Sequence, residues 1–428
     1  MTDAELIVIR GRGRVSALGT DAAWAQPETA PFGTRAVGPH SLPVAALSAP
    51  AETAVAELRR QHPAYRQLDR TVLLALLAAR QAVNGEIVNG EMVSGEVAEQ
   101  EQDGRPSAPA RPRHPSPAHQ LTTSPLAVSI GSSRGATGRL EQFHEEFLTE
   151  GSVPAAASPL TTLGNIASWV AFDAGQAGGA TLSHSSTCSS AFQALGNAVA
   201  WLRAGLADRF LAGGAEAPLT DFTLAQMHAL GIYSPHIAAS WPCRPGAGRP
   251  SSFVLGEGAA VFALERASRA ALQAEAQTGR PALVLEGVGF GFEAVASKTG
   301  LSPDGQHFQL AMRGALHMAG LSPNEVDAVV LHSPGTPAGD AAERAALRAV
   351  FGEKLPALLS NKWLVGHTLG ASAALSLDFA LHVLETQQWP QAPFATDLAA
   401  RVGQPVRRVL VNAAGFGGNA ASVVVARL

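Results

Sequence analysis

The chain has 428 residues, 46% of them hydrophobic, which is enough for one large domain or two intimately packed halves. A formal charge of −4 gives no reason to expect nucleic acid or an anionic membrane as a partner, and two cysteines are too few for a disulfide scaffold or a zinc ribbon. No apolar run reaches the length of a membrane span and no signal peptide opens the chain, so a reducing cytoplasm is the expected location.

Leu6-Ile-Val-Ile9 followed by Arg-Gly-Arg-Gly reads as a first strand and a glycine loop. Leu68 to Val83 has helical periodicity, with Leu68, Val72, Ala75, Leu76, Ala79 and Val83 on one face. Next come three similar pentapeptides starting at Asn84, Asn89 and Ser94, then a stretch rich in Pro, Ala, Ser, Arg and His; residues 84–123 are expected to be a solvated, disordered insert. Pro125 to Ile130 resumes as a strand. Around Cys188 small and polar residues lead into Phe192, Leu195, Val199 and Leu202 at helical spacing, with Gly205 as a stop. Arg209 to Gly214 is a strand running into glycines, and Phe253 to Leu264 a strand pair or a strand with a tight turn.

A second half begins near Ala282. It offers a strand at Leu283 to Gly289, a helix at Phe308 to Ala319, a capped turn at Ser322-Pro-Asn-Glu, and a strand at Asp327 to Leu331 that delivers His332. A helix from Asp340 to Val350, a short strand at Ala357 to Ser360, a helix from Gly370 to Glu385 and strands at Arg408 to Asn412 and Ala421 to Ala426 complete it. Alternating strands and helices in both halves indicate α/β, with candidate chemistry at strand ends.

Four loops concentrate that chemistry: Cys188, His332, Lys362 with His367, and Gly415-Phe-Gly-Gly418. A thiol at a helix start feels the positive end of the helix dipole, which favours thiolate and makes cysteine a nucleophile. Lys362 is one of three lysines, beside Lys298 and Lys354, in a chain that otherwise carries arginine, so its retention draws attention. Asp340 reads as a helix N-cap with Glu343 at the capping-box position. Glu216 and Glu257 read as structural hydrogen-bonding groups.

In this order the motifs Cys188-Ser-Ser-Ala, Ala212-Gly-Gly-Ala-Glu-Ala, Leu255-Gly-Glu-Gly-Ala, Gly335-Thr-Pro-Ala-Gly-Asp-Ala-Ala-Glu, Asn361-Lys-Trp-Leu-Val-Gly-His-Thr-Leu-Gly-Ala and Asn412-Ala-Ala-Gly-Phe-Gly-Gly-Asn make the chain resemble a β-ketoacyl-acyl carrier protein synthase, a condensing enzyme of the thiolase superfamily. The resemblance spans nearly the whole chain outside 84–123. It implies a thiolase-like α/β fold in which two related halves, 1–275 with the nucleophile and 276–428 with the histidines, build a layered αβαβα core and a homo- or heterodimer. It implies decarboxylative Claisen condensation of a malonyl-loaded acyl carrier protein with an acyl chain on Cys188, without cofactor or metal. Backbone N–H groups of Cys188 and Phe416 would form the oxyanion hole. His332 and His367 would hold the malonyl thioester, and Lys362 would give electrostatic support in a buried network with Asp340 and Glu343. Thr336, Gly415 and Gly417 would contact substrate, and Phe416 would gate the pocket.

Departures from the family pattern bear on substrate. Pro334 stands in the stretch where the family has His-Gly-Thr-Ser-Thr, Gly246 and Ala247 follow Arg244-Pro in place of Phe-Asp, and Ala414 stands where a Phe is usual. They suggest a widened entrance and a specialised pathway of polyketide or aryl-polyene type. The alternatives are fatty-acid elongation and a non-catalytic chain-length-factor-like subunit; the latter typically lacks the cysteine that this chain has. A thiolase would carry a second catalytic cysteine near the C-terminal glycine loop, whereas Cys243 lies far upstream and reads as structural.

Overall fold

The structure, a computed structural model, describes residues 5–20, 24–87, 125–163, 165–175, 178–277, 281–294, 301–400 and 403–428. Its strands are β1 (Glu5–Val15), β2 (Gly33–Val37), β3 (His40–Ala45), β4 (Ala127–Gly131), β5 (Thr181–His184), β6 (Arg209–Glu216), β7 (Leu255–Gly256), β8 (Gly258–Ser268), β9 (Leu283–Phe292), β10 (Ala328–Val330), β11 (Ala357–Leu359), β12 (Arg408–Gly415) and β13 (Asn419–Arg427).

Ten of these strands run in the order β11-β10-β12-β13-β9-β1-β8-β6-β4-β5. The row divides into two five-stranded sets of identical pattern. In the first, β4 is parallel to β5 and β6, and β8 is antiparallel to β6 and β1. In the second, β10 is parallel to β11 and β12, and β13 is antiparallel to β12 and β9. The sets meet where β1 and β9 pair at Ile7–Leu285 and Val8–Val284. Helices Ser190–Arg203 and Ser372–Thr386 pack on each other and on strands of both sets, while Arg70–Ile87 covers the outer face of one and Gln306–Ala319 that of the other. The result is five layers, αβαβα, with the thiolase-like fold. The central helices bury large apolar side chains: Phe192, Leu195, Leu375 and Phe379 are all fully buried.

Three boundaries differ from the sequence reading. The glycines after Ile9 continue β1 instead of forming a loop. A Cβ on Gly13 would lie 2.1 Å from Ala78 O, so glycine there lets the Arg70–Ile87 helix lie directly on the strand. That helix also runs four residues beyond Val83, so the 84–123 insert begins later than expected; the rest of it lies outside the described residues. Finally, Phe253 to Leu264 splits between two sheets: β7 joins β3, and β8 joins β1 and β6.

No described helix is long and apolar enough to cross a membrane.

Candidate active site

The two central helices start at the same end of the sheets, and each brings a candidate group with it. Cys188 precedes the cap residue Ser189 of helix Ser190–Arg203. His367 lies in the turn that leads into helix Ser372–Thr386. His332 follows β10. These three side chains line one cavity of about 80 Å³ together with Met227, Phe253, Phe308, Pro334, Thr336, Leu369, Ala414, Gly415 and Phe416. Of the expected site residues, Cys188, His332, His367, Thr336, Gly415 and Phe416 therefore converge on one space. Gly417, at φ +87°, belongs to the turn that carries Phe416.

Two residues of the site have left-handed backbone. Thr187, just before the nucleophile candidate, sits at φ +51°, and Leu369 at φ +43°. Left-handed backbone at a branched residue costs of order 1–3 kcal/mol and persists where surrounding contacts over-determine it. Here Leu369 N–H donates to His367 Nδ1 at 3.1 Å. That bond fixes the tautomer: Nδ1 accepts, so the proton resides on Nε2. At Gly415 a Cβ would fall 1.7 Å from Thr187 Oγ1 and 2.9 Å from Cys188 N, so a glycine is required for the loop to approach the nucleophile. Phe416, 41% exposed, stands at the mouth.

Burial corrects the expectation of a standing thiolate. Desolvation pushes the Cys188 thiol up to about 12, with Glu216 adding to the shift and Lys362 opposing it. Desolvation likewise pulls His367 down to about 3, Lys362 adding, and holds His332 well below its ordinary range, with His367 and Lys362 contributing. The resting site thus has a neutral thiol and two neutral imidazoles. Lys362 itself is drawn down to about 8 by burial against the pull of Glu343.

The network expected around Lys362 is split in two. Lys362 Nζ donates to Ser376 Oγ at 2.9 Å and to Asn361 Oδ1 at 3.5 Å. Asp340 and Glu343 instead organise the His332 loop. Helix Pro337–Phe351 is capped at Thr336, so neither is a cap residue. Asp340 accepts from the N–H groups of Gly246 and Gly335, and Glu343 from those of His332 and Ser333, from Ser333 Oγ and from Asn412 Nδ2. Glu216 accepts from Ser132 Oγ and from the N–H groups of Ser133, Arg134 and Gly370. Glu257 binds Leu47 N–H and Arg70. Both are structural hydrogen-bonding groups.

Of the departures, Pro334 and Ala414 line the cavity, whereas Gly246 and Ala247 are not among its lining residues. Gly246, at φ +75°, is clamped against Asp340, and a Cβ there would meet Asp397 at 2.1 Å. Phe308 also lines the cavity, a place its sequence does not reveal because its helical spacing is that of any buried aromatic. Phe253, just before β7, and Leu369, in the turn after His367, line the cavity too, and neither carries a local signal of it. Cys243 is buried and does not line the cavity. Among the described residues no group of three or more His, Cys, Asp or Glu side chains could hold a metal ion.

Two family descriptions match in tandem: "Beta-ketoacyl synthase, N-terminal domain" over residues 115–270 and "Beta-ketoacyl synthase, C-terminal domain" over residues 283–394. The chain belongs to the β-ketoacyl synthase family. It is a condensing enzyme of the acyltransferase class. This synthase is 29% identical over 325 residues to 3-oxoacyl-[acyl-carrier-protein] synthase 2 of Staphylococcus aureus (strain COL), covering 72% of this chain and 76% of that protein. In shape it resembles the ishigamide ketosynthase/chain length factor, with a TM-score of 0.77 at 20% identity and 99% of both chains covered. A β-ketoacyl synthase from Burkholderia phymatum STM815 superposes with a TM-score of 0.75 at 24% identity, covering 99% of this chain and all of that one.

The neutral histidines make a prediction about stability. The depressed His367 contributes stability that is complete above its ordinary value of 6.5 and is lost as the pH falls from there toward about 3. The unfolding temperature should therefore drop on acidification over that window, and His367→Gln should flatten the drop. Thermal melts at stepped pH check it; parallel curves for the two proteins would contradict it.

Proposed function

We propose that this synthase catalyses decarboxylative condensation of malonyl-loaded acyl carrier protein with an acyl chain held on Cys188. The observation that carries the reading is the convergence of Cys188, His332 and His367 on one apolar cavity, from the starts of two central helices and the end of β10. In the first half-reaction the Cys188 sulfur attacks the acyl thioester; the carrier thiol departs and takes up the proton that the cysteine gives up. The oxyanion is met by backbone N–H groups of Cys188 and Phe416. In the second, His367 Nε2–H and a neutral His332 donate to the carbonyl oxygen of the malonyl thioester. The carboxylate leaves as carbon dioxide, and the bond it vacates becomes the enolate that these donors stabilise. The enolate carbon then attacks the acyl carbon, and Cys188 departs as thiolate and takes up a proton from solvent, the one proton that decarboxylative condensation consumes. Lys362, itself buried, adds to the desolvation that keeps both imidazoles uncharged and opposes the rise of the thiol, which supports its assigned electrostatic role.

In this reading the chain divides into halves 1–275 and 276–428, one supplying the nucleophile and the other the histidines. Acyl carrier protein is the partner, and the working unit is a homodimer or a pair with a second synthase-like subunit. We place the reaction in a specialised polyketide or aryl-polyene-type pathway. Pro334 lines the cavity and has neither a hydroxyl nor an N–H for a pantetheine amide, and one lost neutral hydrogen bond costs about 1 kcal/mol of binding. Fatty-acid elongation is the second reading, favoured by the 29% identity to 3-oxoacyl-[acyl-carrier-protein] synthase 2. A primer panel on purified protein, alone and with a neighbouring synthase subunit, separates the two. The specialised reading expects longer, rigid or unsaturated carrier-bound chains to be extended best; preference for short saturated primers by the protein alone would replace it with elongation.

A further inference from the structure

His332 is poorly tethered for a group that must aim a proton. Its backbone N–H is held by Glu343, but among the described residues neither ring nitrogen has a hydrogen-bond partner in the protein. The ring is in contact with two others: His367, edge-on at 5.3 Å between centroids, and Phe308 at 6.1 Å. Phe308 is itself fixed. It lies in the first turn of helix Gln306–Ala319, is 1% exposed, and stacks on the His307 ring at 4.5 Å. His307 in turn donates its backbone N–H to Glu293 Oε2 and places Nδ1 3.2 Å from the same oxygen.

Helix and strand register put Phe308 opposite Ala414. Asn412 Nδ2 donates to Met312 Sδ of this helix at 3.6 Å, which aligns position 412 of β12 with position 312. Phe308 is one turn nearer the cavity, about 6 Å along the helix, and Ala414 is two residues nearer it on the same face of β12, about 6.6 Å along the strand. Both line the cavity and belong to one contiguous buried cluster. By this register the Phe308 ring faces the small side chain of Ala414.

We propose that Phe308 is a positioning residue for His332, and that it can fill this role because position 414 is small. The inference rests on the catalytic part assigned to His332 above. Its prediction is reciprocal. Phe308→Ala frees the His332 ring, Ala414→Phe forces a second aromatic ring into an occupied site, and the double variant Phe308→Ala/Ala414→Phe conserves volume and supplies the wall from the other side.

The four proteins are compared in two readouts: acylation of Cys188 from octanoyl-loaded acyl carrier protein, followed by intact-protein mass, and release of carbon dioxide from malonyl-loaded carrier. In Phe308→Ala the ratio of decarboxylation to acylation rates should fall by about tenfold or more, since displacing a catalytic group by about 1 Å can cost about a hundredfold. The loss should lie in kcat and not in KM. The double variant should recover most of that ratio, and a general loss of packing would not show such recovery. Should Phe308→Ala fail to fold, Phe308→Leu and the double variant carry the comparison. A wild-type ratio in Phe308→Ala, or a double variant no better than the worse single one, overturns the assignment. If the wild-type protein acylates at Cys188 but never releases carbon dioxide from malonyl carrier, it is the condensing role of His332 that fails.

Discussion

Cys188→Ala should abolish condensation and leave the protein folded. Among the described residues the sulfur is the one thiol lining the cavity, and the change removes a single buried atom, so the stability cost should be on the order of 1 kcal/mol or less. Turnover should drop by about a thousandfold or more, because covalent catalysis has no second route when its nucleophile is gone. Intact-protein mass spectrometry after incubation with acyl-loaded carrier should place one acyl group on Cys188 in the wild type and none in the variant. An adduct on Cys243, whose buried thiol is pushed up to about 12 and does not face the cavity, would sink the mechanism, as would wild-type turnover in the alanine variant.

Replacing the histidines should separate the half-reactions. His332→Ala and His367→Ala should each still accept an acyl group on Cys188 within about tenfold of the wild-type rate, because the oxyanion is held by backbone N–H groups that neither change removes. Carbon dioxide release from malonyl-loaded carrier should fall by about a hundredfold to ten-thousandfold, the usual range for loss of a positioned proton donor. The effect should be larger for His367, whose tautomer is locked by Leu369 N–H and whose Nε2–H is therefore committed as a donor. Single-turnover assays of the two steps check this. Normal decarboxylation in either variant would remove that histidine from the mechanism.

Much of this site can be read from the chain because the information is local. The apolar spacing from Phe192 to Leu202 builds a helix without regard to the rest of the fold, and that places Cys188 at its start. Strand β10 ends at Val330 for equally local reasons and delivers His332. Motif order along the chain carries the family, and the family carries the fold.

Other features depend on partners far apart in sequence, and there local reasoning fails. Glu343 has the spacing of a capping-box residue, yet its carboxylate is drawn to Asn412, 69 residues away, and to the His332 loop. The glycines after Ile9 read as a loop until a helix backbone from residue 78 is laid against them. Cys188 has the position of a thiolate, but a neutral thiol is what full burial and the nearby Glu216 leave. Ala414 stands where the family has an aromatic, and the structure lines the same cavity with Phe308, from a helix about a hundred residues earlier. The sequence by itself determined which elements form and which chemical groups they carry, because hydrophobic periodicity and turn chemistry act over a few residues. Only the tertiary structure decided charge state, tautomer and pocket shape, because desolvation and close packing are set by whatever the fold brings within a few ångströms.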